Sequence, residues 1–131
     1  MPTTYALSGR HNSGKTTTLN LLLTSLESKY PSRTEVFRRG RKDLTVVMDL
    51  PSGQRVGVAC GGDTAFVVNS NLTTLTSHNC DVIFCATRSY GGTVDAVNTY
   101  AASHSIHFEV KQVNANDDLV VARKLLTLAG L

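Results

Sequence analysis

The sequence predicts an α/β fold, a three-layer sandwich on a mostly parallel sheet with one antiparallel edge strand. Three observations carry that prediction. Strand-like and helix-like periods alternate along the chain, the order expected when helices cover a parallel sheet. Val82-Ile83-Phe84-Cys85-Ala86 is an unbroken apolar run, as a central strand covered on both faces requires. Leu19, Leu22, Leu23 and Leu26 fall at i, i+3, i+4 and i+7, the stripe of an amphipathic helix.

Each element follows from local chemistry. Tyr5-Ala6-Leu7 reads as a short buried strand running into a turn at Ser8-Gly9, and Thr16 to Glu27 as the leucine-striped helix. Lys29 to Arg41, with Pro31 and Gly40, reads as a polar, basic connector. Leu44 to Met48 and Arg55 to Cys60 flank Leu50-Pro51-Ser52-Gly53 and predict an antiparallel hairpin whose first strand is the sheet edge. Gly61-Gly62-Asp63 ends the second strand. Val68, Leu72 and Leu75 then mark a helix. After the central strand, Gly91-Gly92-Thr93 leads to a helix with Thr93 as N-cap and Val97, Tyr100, Ala101 and His104 on one stripe. Ile106 to Val113 is the last strand. Asn116-Asp117-Asp118 caps a final helix with Leu119, Ala122, Leu125, Leu126 and Ala129 on its apolar side.

Composition bounds the function. At 131 residues with 41% hydrophobic content, the chain can build one core, so residues 1–131 are expected to form a single domain with no room for a long lid. No stretch approaches the about 20 apolar residues of a membrane span. The N-terminus lacks a basic segment followed by an apolar run, so a cytoplasmic protein is expected. Cys60, Cys80 and Cys85 form no CxxC pair and fit buried, reduced thiols better than disulfides or zinc ligands. His78, His104 and His107 have no serine elbow to serve, so covalent catalysis is not indicated. Net charge is only +3, yet six of the 13 basic residues lie between Lys29 and Lys42, opposed there by Glu35 alone.

The chemistry concentrates at Gly9-Arg10-His11-Asn12-Ser13-Gly14-Lys15-Thr16, which fits G-x-x-x-x-G-K-[ST] at every fixed position. The glycines let the backbone curl so that successive N–H groups point inward as an anion nest. The following helix adds its positive end. A strand before the motif and a helix after it are the context that this chemistry needs. On these residues the chain resembles the P-loop NTPases, with partial similarity to small GTPases in its sequence of loop, helix, connector, hairpin and acid-bearing turn.

That resemblance implies ATP or another nucleoside triphosphate as ligand, with Mg²⁺. Gly9, Arg10, His11, Asn12, Ser13, Gly14, Lys15, Thr16 and Thr17 would cradle the phosphates, Lys15 would reach the β- and γ-phosphates, and Thr16 would bind Mg²⁺. A carboxylate is also needed. Asp63, on the turn after the hairpin, is preferred for Mg²⁺ or water positioning. Asp49 would lie near the hairpin turn, at the sheet edge away from the phosphates. Arg88, just after the central strand, is a candidate phosphate contact or simply a solvated side chain. Lys29 to Asp43 and Gly61 to Thr64 would correspond to the two switch regions. The guanine-reading [NT]-K-x-D is absent from Val110 to Asp117, where Asn114 and Asn116 border the base pocket or serve as turn and cap residues. ATP is therefore preferred to GTP. Arg10 stands where one dimeric ATPase group carries a signature lysine, without the paired glycines that follow it there.

Three functions fit: a slow Mg-ATPase switch stimulated by a protein partner or homodimerisation, a small phosphotransferase, or a non-hydrolysing regulator. The first is preferred, because no segment is long enough for both an acceptor-binding insert and a lid. The basic connector could be a solvated loop, carry an arginine finger, or bind nucleic acid. Only Tyr30 and Phe37 interleave with its charges, which disfavours nucleic acid as partner.

Overall fold

The computed structural model describes residues 2–9, 14–41, 43–61, 64–88, 91–99, 104–110 and 118–131. In chain order the elements are β1 (Thr3–Ser8), α1 (Lys15–Lys29), β2 (Thr34–Arg39), β3 (Thr45–Asp49), β4 (Arg55–Ala59), α2 (Ala65–Ser77), β5 (Val82–Thr87), α3 (Gly92–Asn98), β6 (Ser105–Val110) and α4 (Asp118–Leu128). The strands form one mixed sheet in the order β2-β3-β4-β5-β1-β6. β1 pairs in parallel with β5 and β6, and β4 pairs in parallel with β5. β3 runs antiparallel to both β2 and β4, so it is the one strand opposing the common direction among the described residues.

Side-chain alternation builds the core on both faces of the sheet. Phe84 and Ala86 of β5 and Leu7 of β1 join the leucines of α1 and Leu125 of α4 in one cluster. Ile83 and Cys85 of β5 and Ala6 of β1 join Leu72 and Leu75 of α2 and Val97 of α3 in another. Every residue of β5 is buried, as its apolar run predicts.

The hairpin closes as expected: Gly53 donates its N–H to the Leu50 carbonyl at 2.9 Å, and Leu50 donates to Gln54 at the same distance. The edge assignment is corrected. β3 is second from the edge, and the segment read as connector supplies the edge strand, β2. Its residues are almost all exposed, so it has no buried face to impose an apolar alternation. Its charges suit an edge that must not pair with other chains. Part of the basic cluster is neutralised here. Arg38 pairs with Glu35 at 2.6 Å and with Glu27 of α1 at 3.2 Å, and Arg33 pairs with Glu27 at 3.1 Å.

Two expectations around α3 also change. Gly91, not Thr93, is its N-cap; the buried Thr93 hydroxyl instead accepts the Arg88 N–H at 2.8 Å and ties the loop to the helix. His104 is not on the helix. It precedes β6, buried, with Nδ1 2.8 Å from Thr4 Oγ1 and Nε2 3.4 Å from Thr76 Oγ1, and burial lowers its pKa. Hydroxyl partners on two other elements held a ring that looked like part of an apolar stripe. Tyr100, Ala101 and the stretch 111–117 lie outside the described residues.

Candidate functional site

The loop begins where β1 ends. Gly9 donates its N–H to the Thr87 carbonyl at 3.2 Å, fastening the loop's first residue to the tip of β5. At the loop's other end, Gly14 caps α1 at φ 92°, ψ 17°, a left-handed conformation that suits glycine. The Gly14 carbonyl accepts the Thr18 N–H at 2.9 Å and starts the helix. Lys15 follows, buried in spite of its charge, and donates from Nζ to the Gly9 carbonyl at 2.7 Å. The side chain at the loop's end thus reaches back to its beginning. Thr16 donates from Oγ1 to the Cys60 carbonyl at 3.2 Å, which joins α1 to the end of β4. Thr17 is exposed. Arg10, His11, Asn12, Ser13 and Asp63 fall outside the described residues.

Strand direction gathers further groups at this sheet edge. β2 and β4 run with β1, so the ends of β1, β2, β4 and β5 meet there. Arg88 leaves β5 at that edge with an exposed side chain. Thr87 is fully buried, and its Oγ1 has no hydrogen-bond partner among the described residues. The Gly61 carbonyl accepts from Asn71 Nδ2 at 3.1 Å, and Asn71 Oδ1 accepts from Thr45 Oγ1 at 3.4 Å. These bonds hold the segment leading to Asp63 against α2 and β3.

Asp49 lies at the other edge. It is paired with Arg55, Oδ1 to Nε at 2.7 Å and Oδ2 to Nη2 at 3.1 Å, and Arg55 also donates to the His78 carbonyl at 2.8 Å. The arginine holds the Asp49 carboxyl below its ordinary value. Arg55, oriented by this carboxylate, pins the hairpin to the end of α2.

Two carboxylates at the sheet edge where the loop lies are not among the site residues that the sequence predicts. Asp118, at the start of α4, accepts the Thr18 hydroxyl proton at 3.3 Å, and a Cβ added to Gly14 would stand 3.0 Å from Asp118 Oδ1. Asp43, between β2 and β3, lies against Gly61. Neither belongs to a local motif: Asp118 looks like one more capping acid, and Asp43 is 27 residues from Thr16 along the chain.

The remaining candidates do not converge. Burial pushes the Cys60, Cys80 and Cys85 thiols up to about 12, and all three are free. His78 lies by the Thr74 carbonyl, His107 beside Glu109, and His104 between its threonines. Among the described residues no group of three or more His, Cys, Asp or Glu side chains could hold a metal, and no helix is long and apolar enough to cross a membrane. At the start of α1, the Lys15 ammonium and the Thr16 hydroxyl thus meet the carbonyls of Gly9 and Cys60. No family model matches this sequence, and no curated protein or solved structure matches it.

Proposed function

We propose that this chain is a single-domain P-loop nucleotide-binding protein, a three-layer sandwich that binds ATP in preference to GTP and hydrolyses it slowly with Mg²⁺. The observation that carries this reading is Lys15, a buried lysine on the first turn of α1 whose ammonium donates to the Gly9 carbonyl at 2.7 Å. A buried cation at a helix N-terminus suits a polyphosphate. The left-handed Gly14 and the two apolar clusters on alternate strand faces support the same reading.

In this site the loop from Gly9 to Thr17 would surround the phosphates. Lys15 would exchange its Gly9 carbonyl for phosphate oxygens and offset their charge. Thr16 and Asp63 would hold Mg²⁺. The Thr16 hydroxyl donates its proton to Cys60, which leaves lone pairs to face a cation. Mg²⁺ held there would supply neutralisation of the phosphate charge. Asp63 would orient the attacking water, and Arg88, exposed at the same sheet edge, would contact phosphate or partner. The chain would act as a cytoplasmic switch that a protein partner or a second copy stimulates. Its three free, buried cysteines suit a reducing compartment.

Thermal shift and phosphate release with ATP, GTP and dATP, each with and without Mg²⁺, test the proposal. Lys15→Ala should abolish binding and turnover while the circular dichroism spectrum is retained. Unchanged ATP affinity and hydrolysis in that variant would overturn it. Turnover that appears only with an added small acceptor would instead indicate a phosphotransferase, and binding without release a regulator.

A further inference from the structure

We propose that β6 is the interface through which two copies of this chain pair, edge to edge and antiparallel, about a twofold axis at Phe108. β6 lies at one end of the sheet, with β1 as its single strand neighbour among the described residues. The Ser105 N–H donates inward to the Pro2 carbonyl at 2.8 Å. Backbone groups alternate along a strand, so His107 and Glu109 also face β1, and Ile106, Phe108 and Val110 present their N–H and C=O groups outward. The two ends of the sheet differ in how they guard such groups. β2 carries Arg38 and Arg39 and a register shift between Glu35 and Phe37, both of which obstruct pairing. β6 pairs with β1 over six residues without a shift and contains no lysine, arginine or proline.

The outward groups and the side chains agree on one register. In an antiparallel pair of identical strands centred on Phe108, Phe108 faces its own copy as a hydrogen-bonded pair, and Ile106 bonds to Val110 of the second copy. His107 and Glu109 of the second copy then form the closer, non-hydrogen-bonded pair, once on each side of the axis. An imidazole N–H meets a carboxylate there. Lys124 hydrogen-bonds Glu109 at 2.9 Å, the main cause that holds its carboxyl below the ordinary carboxylate range, so the acceptor is ionised. Shifting the centre by one residue sets two imidazoles or two carboxylates face to face. Apolar surface lies on both faces of this edge. Phe108, in register with Ala6, is exposed on the face that α2 and α3 cover. On the opposite face Val120, Lys124 and Leu128 form one stripe of α4; Lys124 brings that stripe to β6, and Val120 and Leu128 are exposed. The axis is normal to the sheet, so like faces meet, and the α4 helices of the two copies would lie side by side. β1 would run opposite to its counterpart, which leaves the two glycine loops open at opposite ends. The pairing goes beyond the nucleotide reading and does not depend on it.

Sedimentation velocity of the intact chain tests this, with disulfide trapping to read the register. The wild type should dimerise at micromolar concentration. Phe108→Pro removes an outward N–H and no bond to β1, so it should raise the dimer dissociation constant about tenfold or more with the circular dichroism spectrum retained. His107→Glu, which sets carboxylates opposite one another, should weaken the dimer, and His107→Lys should keep it. Phe108→Cys should form a disulfide-linked dimer under mild oxidation, since the Cα atoms of a hydrogen-bonded pair stand about 5.5 Å apart. Ser105→Cys, about 20 Å from its copy in this register, should not. The native cysteines are buried and stay out of the reaction. A wild type that remains monomeric at high micromolar concentration overturns the proposal. So does a dimer that both Phe108→Pro and His107→Glu leave intact, or one that Ser105→Cys traps and Phe108→Cys does not. None of these results bears on nucleotide binding, which the Lys15→Ala variant decides.

Discussion

The Thr18 hydroxyl donates to the Asp118 carboxylate at 3.3 Å, linking the first turn of α1 to the first turn of α4 across 100 residues of sequence. The same carboxylate faces Gly14, where it would stand 3.0 Å from an added Cβ. Gly14→Ala therefore meets two penalties, left-handed backbone and contact with Asp118. It should destabilise the fold by about 1–3 kcal/mol. Asp118→Ala alone should cost about 1–3 kcal/mol through the lost charged hydrogen bond. Combining them should cost less than the sum, by about 0.5 kcal/mol or more, because the contact is gone. A urea double-mutant cycle measures this, and strict additivity would refute the coupling.

The Asp49–Arg55 pair lies away from the glycine loop and makes a separable prediction. A carboxyl held below its ordinary value of 3.8 stabilises the fold above that value and loses this contribution as pH falls through the depressed folded value. Asp49→Asn should thus be less stable than wild type near neutrality and converge with it in strong acid, as followed by denaturant midpoints across pH. Nucleotide affinity should not change, since the pair fastens the hairpin to the end of α2.

Thiols pushed up to about 12 are almost wholly protonated near neutrality. At pH 8 the native chain should give no fast reaction with Ellman's reagent, and all three cysteines should react in denaturant. Rapid labelling of the folded chain would contradict the burial of Cys60, Cys80 and Cys85.

Thr87 should respond in the opposite direction from most core changes. Its buried hydroxyl has no partner among the described residues, so the near-isosteric Thr87→Val removes an unsatisfied group. A gain of about 1 kcal/mol in unfolding free energy is expected, measured by urea titration. A loss of similar size would mean that the hydroxyl is satisfied in solution.

Much of this architecture was legible locally. The all-apolar β5 and the leucine stripe of α1 have signatures within a few residues, because burial on two faces or on one stripe leaves a pattern in composition. β2 left none. With both faces exposed, its strand character comes from hydrogen bonds to β3, and a basic strand then looks like a basic loop. Thr93 and His104 misled for a related reason. Their hydroxyl and ring were assigned to the nearest helix, whereas their partners are Arg88, Thr4 and Thr76.

The sequence by itself determined the glycine loop motif, the strand before it, the helix after it and the positive charge of Lys15, since these are contiguous and their chemistry is local. The hairpin's direction also placed Asp49 away from that loop, whereas only the tertiary structure brought Asp118 against Gly14 and Asp43 against Gly61. Asp49 and Asp43 are six residues apart, yet β3 carries one to the Arg55 edge and leaves the other against Gly61. An extended strand advances about 3.3 Å per residue, so the five residues of β3 are enough to separate the two carboxylates by most of the sheet's length.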